Sequence, residues 1–400
     1  MSADPTYDRY REALRGHPLP AAFVDLDRFD DNADALLARA GERPIRVASK
    51  SVRCTPLLRR LFAHDDRFRG LLCFTAPEAL WLAERGFDDL VVAYPTVEPT
   101  HLRAVADAVA AGHAITLMVD SPAHVDHLEA VLGEVAVPVP VAIDLDLSWD
   151  LPGLRFGVLR SPVVTAEDAA DLTRRIVASP TVRLDGLMGY EAQVAGVAER
   201  APGRSRVEQA VIVALKRASL RRVARARAAV VDAVEDVVGA PLRFVNGGGT
   251  GSLESTSRER AVTEVTAGSG LFAPGLFDHY DRFRHEPAAG FAVPVVRHPA
   301  PGVVTCLGGG YVASGPVGPD KTPVVWGPPG ATLTPLEGVG EVQTPVRLPA
   351  GTTLRLGDPV LFRHAKAGEL CERFATLLAI RGDEVVEELS TYRGDGASFL

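Results

Sequence analysis

The chain has 400 residues, 46% hydrophobic and 24% charged, enough for two domains with full cores. No apolar run approaches the roughly 18 residues that span a bilayer, and the polar, mixed-charge stretch Met1–Arg15 is not expected to act as a secretory signal. A formal charge of −8 argues against general nucleic-acid binding, which needs a basic surface.

From residue 21 to about residue 270, short apolar runs alternate with helical stretches. The expected strands are Ala21–Leu26, Ile45–Ser49, Gly70–Phe74, Leu90–Tyr94, Ile115–Asp120, Val139–Asp144, Leu184–Tyr190 and Arg243–Asn246. Each is brief and rich in Val, Ile, Leu or Phe, as a strand buried on both faces should be. Amphipathic segments lie between them: Asn32–Ala40, Pro77–Arg85, Ala123–Leu132, Ala166–Ala178 and Val207–Val238. Asp30, Thr75 and the Ser121-Pro122 pair supply helix start signals. Eight strand–helix units in this length match an α/β fold of the (β/α)8 TIM-barrel type, assigned to residues 21–275. A doubly wound open sheet is disfavoured because no G-x-G-x-x-G follows the first strand. After residue 275 helical periodicity vanishes, Pro and Gly rise, and β-rich runs appear at Val303–Leu307, Val324–Trp326, Val342–Leu348, Val360–Arg363 and Thr376–Ile380. Residues 276–400 therefore read as an antiparallel β-domain. Residues 1–20 could pack on either domain.

Four cysteines, Cys54, Cys73, Cys306 and Cys371, form no C-x-x-C pair and read as free, buried thiols of a reducing, cytoplasmic compartment. Lys216, Arg217, Arg221, Arg222, Arg225 and Arg227 cluster in one helical stretch and read as a solvated face.

Two features carry chemistry. The run Arg43–Lys50 reads as a buried strand that stops at a lysine, with a short helix after it. Some two hundred residues later, Asn246-Gly247-Gly248-Gly249-Thr250-Gly251-Ser252 follows the last expected barrel strand, and Ala267-Gly268-Ser269-Gly270 follows Thr263–Thr266. Glycines let backbone N–H groups approach an anion closely, and the Thr250, Ser252 and Ser269 hydroxyls add donors. Phosphate sites in such barrels often form after strands seven and eight. A lysine plus a separate phosphate cradle is what a pyridoxal phosphate enzyme needs.

The ordered set Phe23–Asp27, Ala48-Ser49-Lys50, Ile143-Asp144, Arg155-Phe156-Gly157, Gly186–Glu191, Asn246–Ser252 and Ala267-Gly268-Ser269 resembles the fold-type III pyridoxal phosphate enzymes. These pair an alanine racemase N-terminal barrel with a β-domain. The chain is most similar to their D-threonine aldolase and D-serine dehydratase-like branch. The resemblance implies that Lys50 forms the Schiff base with the cofactor, for which the amine must be uncharged. It implies that Arg155 meets the cofactor's phenolic oxygen or the substrate carboxylate, and that Tyr190 lies beside the cofactor ring. Asn246, Gly247, Gly248, Thr250, Gly268 and Ser269 would hold the phosphate.

Two departures stand out. Alanine racemases place an arginine before the second phosphate loop, where this chain has Thr266. The aldolase and dehydratase relatives carry a metal pair, His-x-Asp or His-x-Cys, where this chain reads Arg363-His364-Ala365-Lys366. An ammonium has no lone pair for a metal, so no metal is expected; if one binds, His364 is its ligand with help from Cys371 or Glu369. Lys366 instead would supply the positive charge that polarises a substrate oxygen. The implied activity is a lyase acting on a β-hydroxy amino acid of D configuration, by retro-aldol cleavage or dehydration. Lys50, His364 and Lys366 are the candidate catalytic residues, in a homodimer that binds neither nucleic acid nor membrane. The alternatives are an amino-acid racemase with Tyr311 as second base, and a pyridoxal phosphate carrier, from which residues 276–400 set the chain apart.

Overall fold

The computed structural model describes residues 5–400. Eight parallel strands close a barrel: Ile45–Ala48, Phe68–Cys73, Leu90–Pro95, Ile115–Val119, Val139–Leu145, Val182–Gly189, Phe244–Gly247 and Glu264–Ala267, the last pairing back onto the first. Helices cover it, several entered through a sequence signal. Thr75 accepts from the Glu78 amide to open Ala76–Ala83, and capping boxes at Thr165 and Ser205 open Ala166–Val177 and Arg206–Val238. Glycine in the left-handed region at Gly239 ends the last of these.

The expected first barrel strand belongs elsewhere. Ala21–Asp25 pairs antiparallel with Ala289–Ala300 and parallel with Thr376–Arg381, inside the sheet of the C-terminal region. A five-residue apolar run buried on both faces is compatible with either sheet, so its pattern does not choose between them. The eighth place in the barrel is taken by Glu264–Ala267. The helix expected at Asn32–Ala40 begins earlier, at Leu26, because Asp25 rather than Asp30 accepts from the Asp27 and Arg28 amides. The remaining C-terminal strands, Val303–Leu307, Val324–Gly327, Thr332–Leu333, Gln343–Arg347, Pro359–Arg363 and Glu384–Ser390, complete the nine-stranded sheet.

The helix Pro5–Ala13 packs on this sheet rather than on the barrel. The Tyr10 ring lies 4.9 Å from Phe23 and 5.1 Å from Trp326, and the Tyr7 hydroxyl donates to the Pro359 carbonyl at 2.9 Å. Residues 1–4 lie outside the described residues. All four cysteines are free and buried.

A charged strand start such as Glu264 is tolerated because its partner is buried with it. Arg46, 1% exposed inside the barrel, donates to both Glu264 oxygens at 2.6 and 2.9 Å and to the Asp89 carboxylate at 3.0 Å. Removing one partner of such a buried pair costs about 3–5 kcal/mol, so the pair is a point of fragility in the barrel floor. The long helix also departs from expectation. Lys216 and Arg227 are 2% and 0% exposed, paired with Glu199 and with Glu191 and Glu259, while Arg217, Arg221, Arg222 and Arg225 face solvent.

Candidate active site

The C-terminal mouth of the barrel opens into a cavity of about 590 Å³, lined by residues from the ends of the strands and from the C-terminal region. Lys50 stands in the single turn Ser49–Ser51 that follows the first barrel strand, and its side chain enters this cavity. Nζ donates to the Tyr94 hydroxyl at 2.6 Å. Tyr94 comes from the end of the third strand, Leu90–Pro95. Burial alone would raise its phenol; the Lys50 charge and hydrogen bond, with the Arg160 guanidinium, outweigh burial and leave it below its ordinary value.

The two glycine loops meet across the mouth from Lys50. Strand register brings them there: Ala267 pairs with Val47, so Gly268 abuts the Lys50 turn, and Gly247 pairs with Gly189, so Gly248 lies beside Tyr190. Gly248 needs its φ of +91°. A Cβ on Gly268 would lie 2.8 Å from the Ala48 carbonyl oxygen, a space only glycine leaves open. The Thr250 and Ser269 hydroxyls stand 3.3 Å apart, and the Gly270 amide donates to Thr250 Oγ1 at 3.1 Å. Glu191, 1% exposed, holds the first loop in place. Its carboxylate accepts from the Gly248 amide at 3.2 Å, Ser252 Oγ at 2.6 Å, Thr256 Oγ1 at 2.5 Å and Arg227 Nη2 at 2.7 Å.

Residues 24–273, which include all eight barrel strands, match the family model for the alanine racemase N-terminal domain. The chain belongs to that family. The D-threonine aldolase of Arthrobacter sp is 26% identical over 358 residues, covering 86% of this chain and 87% of its own. Among solved structures, D-threonine aldolase from Filomicrobium marinum superposes with a TM-score of 0.77 at 20% identity over 96% of each chain. D-threo-3-hydroxyaspartate dehydratase from Delftia sp. HT23 gives 0.73 at 21% identity, over 95% of this chain and 98% of that one. At those identities the structural likenesses speak to the fold, barrel and appended sheet together.

In this family member the residues present fit pyridoxal phosphate. An amine at Lys50 suits its aldehyde, and the paired hydroxyls beside a glycine cradle suit its phosphate. Lys50, Tyr190, Asn246, Gly248, Thr250, Gly268 and Ser269 all line the one cavity. Gly247 does not; it packs over Arg227 and Thr256, where a Cβ would lie 3.0 Å from each. Enclosure pushes the Tyr190 phenol up to about 12, with the Glu191 charge adding to the rise. Asn246 donates to Glu264 at 2.8 Å and to Thr266 at 2.9 Å, linking the cavity floor to the Arg46 pair.

Arg155 is placed away from the cavity. It sits on the hairpin of Trp149–Leu151 and Leu154–Phe156, where it binds Asp146 at 2.5 Å, Asp150 at 2.9 Å and the Val158 carbonyl at 2.9 Å. Arg160, five residues on, lines the cavity instead, its guanidinium 5.9 Å from both the Tyr94 and Tyr190 rings. Both arginines stand in one loop without periodicity, so sequence alone did not separate them.

His364 is also absent from the lining. It is fully buried against Phe272, lies beside the Ala289 backbone, and neither ring nitrogen makes a well-formed hydrogen bond. Burial, then the Arg363 charge, pushes its imidazole down to about 3, so it stands neutral. Lys366 does line the cavity, carried there by a loop that docks on the Lys50 turn. Gly368, at φ +88°, approaches so closely that a Cβ would fall 1.9 Å from the Lys50 carbonyl oxygen. Lys366 Nζ donates to Ser314 O and Oγ, both at 3.1 Å. Burial lowers the Lys366 ammonium from its ordinary value, with Glu369 opposing and Lys321 and Lys50 adding to the fall. Among the described residues, no group of three or more His, Cys, Asp or Glu side chains is arranged to hold a metal. Tyr311 packs on Phe291 at 6.2 Å and does not line the cavity.

Proposed function

We propose that the protein is a pyridoxal-phosphate-dependent lyase that cleaves or dehydrates β-hydroxy amino acids of D configuration. The observation that carries this reading is the convergence in one cavity of Lys50, the Thr250–Ser269 hydroxyl pair and Lys366, which the sequence keeps up to 316 residues apart (366 − 50). The relatives' activities agree with it.

Pyridoxal phosphate, when bound, supplies an aldehyde that condenses with amines and a ring that accepts electrons from the carbon next to nitrogen. The chain's own residues do the rest. Thr250, Ser269, Gly248 and Gly268 would hold the phosphate end, and Lys50 the aldehyde end. Arg160 makes no hydrogen bond or close ion pair among the described residues, though it feels the Asp144 charge, and it offers a planar, always-charged fork to the substrate carboxylate. When not engaged with the cofactor, the Lys50 amine would be a base facing the cavity. Lys366 keeps its ammonium on two neutral Ser314 oxygens, and a third donor remains for the substrate's β-oxygen. A fixed positive charge there stabilises negative charge developing on that oxygen. His364 sits too deep to share this work.

The deciding experiment is a panel of D- and L-β-hydroxy amino acids given to the cofactor-loaded protein and read for aldehyde, oxo acid and enantiomer. Aldehyde or oxo acid from D substrates supports the proposal. Enantiomer as the sole product would identify a racemase and overturn it.

A further inference from the structure

We infer that Tyr94 is the catalytic proton acceptor for Lys50: its phenolic oxygen takes the Nζ proton when the lysine attacks and returns it when the lysine is released. This deepens the proposed function and rests on it.

A lysine that must attack an aldehyde has to lose a proton first, and something nearby has to receive it. Among the described residues, the group in hydrogen-bonding contact with Lys50 Nζ is the Tyr94 hydroxyl, and in that bond the nitrogen donates and the phenolic oxygen accepts at 2.6 Å. The 5.1 Å from Nζ to the ring centroid fits approach at the hydroxyl end of the ring. Both groups line the cavity, so the proton exchange takes place where the reaction does. Glu369, a carboxylate in the same lining, accepts the Ser314 amide at Oε1 at 2.9 Å and makes no hydrogen bond to Lys50 Nζ; its buried Oε2 has no hydrogen-bond partner.

The charged and titratable groups around Tyr94 come from four elements. Lys50 follows the first strand and Arg160 stands in the loop after the fifth; Asp144 ends the fifth strand and Tyr190 follows the sixth. Burial and Asp144 favour the neutral phenol, whereas Lys50 and Arg160 favour the phenolate and prevail. Tyr190 beside it is pushed the other way, up to about 12. Two tyrosines at one barrel mouth are thus shifted in opposite directions.

The step balances without any outside partner. The Lys50 N–H bond breaks and the Tyr94 O–H bond forms, so an ammonium–phenolate pair becomes an amine–phenol pair of the same total charge. The amine attacks the aldehyde carbon and one water leaves. In reverse, the substrate amine displaces Lys50 and the phenol's proton returns to the departing nitrogen. No electron is gained or lost by the protein.

Because the two forms of the pair carry the same number of protons, attack by Lys50 should depend little on pH while the pair holds one proton. Without the phenol, the reactive amine appears only by loss of a proton to solvent. The test strips the full-length protein of cofactor and follows Schiff-base formation with pyridoxal phosphate by absorbance, with borohydride trapping at Lys50 as the second readout. Wild type is expected to give a rate that varies less with pH than that of Tyr94→Phe. Tyr94→Phe keeps the ring and removes the hydroxyl. It is expected to react about tenfold to hundredfold more slowly at pH 7, with a rate that climbs about tenfold per pH unit. Parallel profiles for the two proteins overturn the role of Tyr94 and leave the proposed function standing. Failure of wild type to take up pyridoxal phosphate at any pH overturns both.

Discussion

Gly268→Ala tests the cradle at its tightest point. Gly268, at φ −170°, lies outside the left-handed region, so the effect of the added methyl group is read from its contacts. The methyl carbon would lie 2.8 Å from the Ala48 carbonyl oxygen and 3.0 Å from Ser51 Cβ, where ordinary contact begins at 3.4 Å. Ala48 ends a barrel strand paired on both sides, so it cannot yield the missing few tenths of an ångström cheaply. The loop must move instead, away from the Lys50 turn. Overpacking of this kind costs about 1–3 kcal/mol. If the loaded state needs both loops in register, that cost appears as roughly tenfold to hundredfold weaker binding of pyridoxal phosphate. Gly249→Ala is the comparison, since its methyl group would meet Ala195 Cβ at 3.1 Å and Tyr190 Cε2 at 3.2 Å, milder contacts than the 2.8 Å approach to a carbonyl oxygen. The assay is an absorbance titration of cofactor into each stripped protein, with circular dichroism to confirm folding. Unchanged affinity in Gly268→Ala, or a larger loss in Gly249→Ala, would refute the reasoning.

Further outcomes follow from the same geometry. Lys366→Ala should keep cofactor loading and lose about a hundredfold or more of turnover; unchanged turnover removes Lys366 from the mechanism. Dialysis against a chelator should leave turnover intact, and a stoichiometric divalent ion that disappears in His364→Ala would contradict the metal-independent account. Arg160→Ala should raise the substrate KM about tenfold or more with folding unaffected, whereas Arg155→Ala should lower thermal stability by loosening the hairpin; the opposite assignment would return Arg155 to the site. Burial holds the Glu78 carboxyl up to about 7, against the amide of Phe74 and the hydroxyls of Ser49 and Tyr392, while the unfolded group titrates near 4.5. Between those values the unfolded chain sheds a proton that the folded one retains. Stability should therefore fall by about 3 kcal/mol as pH rises through that window and level off above it. Glu78→Gln should abolish this component, and an unaltered pH slope in denaturant titrations would count against it.

How far the sequence could be read follows from what each signal depends on. Buried parallel strands announce themselves by apolar runs, and that local property exposed most of the barrel. It failed at Ala21–Asp25, since a run buried on both faces looks the same in the barrel and in the neighbouring sheet. It also undervalued Glu264–Ala267, whose opening carboxylate is neutralised by Arg46 from 218 residues away. The glycine loops were legible because close backbone approach leaves glycine itself as the trace. Contacts between side chains leave no such trace. Nothing local to Tyr94 shows that it ends up 2.6 Å from Lys50, and nothing local to Glu191 shows that it ties down Gly248 and Ser252. Arg155 and Arg160 are chemically alike and stand five positions apart, so only the fold assigns one to a hairpin and the other to the cavity. His364 shows the converse, in that a residue matched to a ligand position by motif lies sealed beneath the cavity it was expected to serve.

The central claim is that Lys50 carries the cofactor, with Lys366 in the same cavity reserved for the substrate. The most direct measurement is reduction of the cofactor-loaded protein with borohydride, followed by peptide mapping of the label. The account predicts one pyridoxyl group per chain, on Lys50 and absent from Lys50→Ala. A label on Lys366, or a native protein that takes up none, would contradict it.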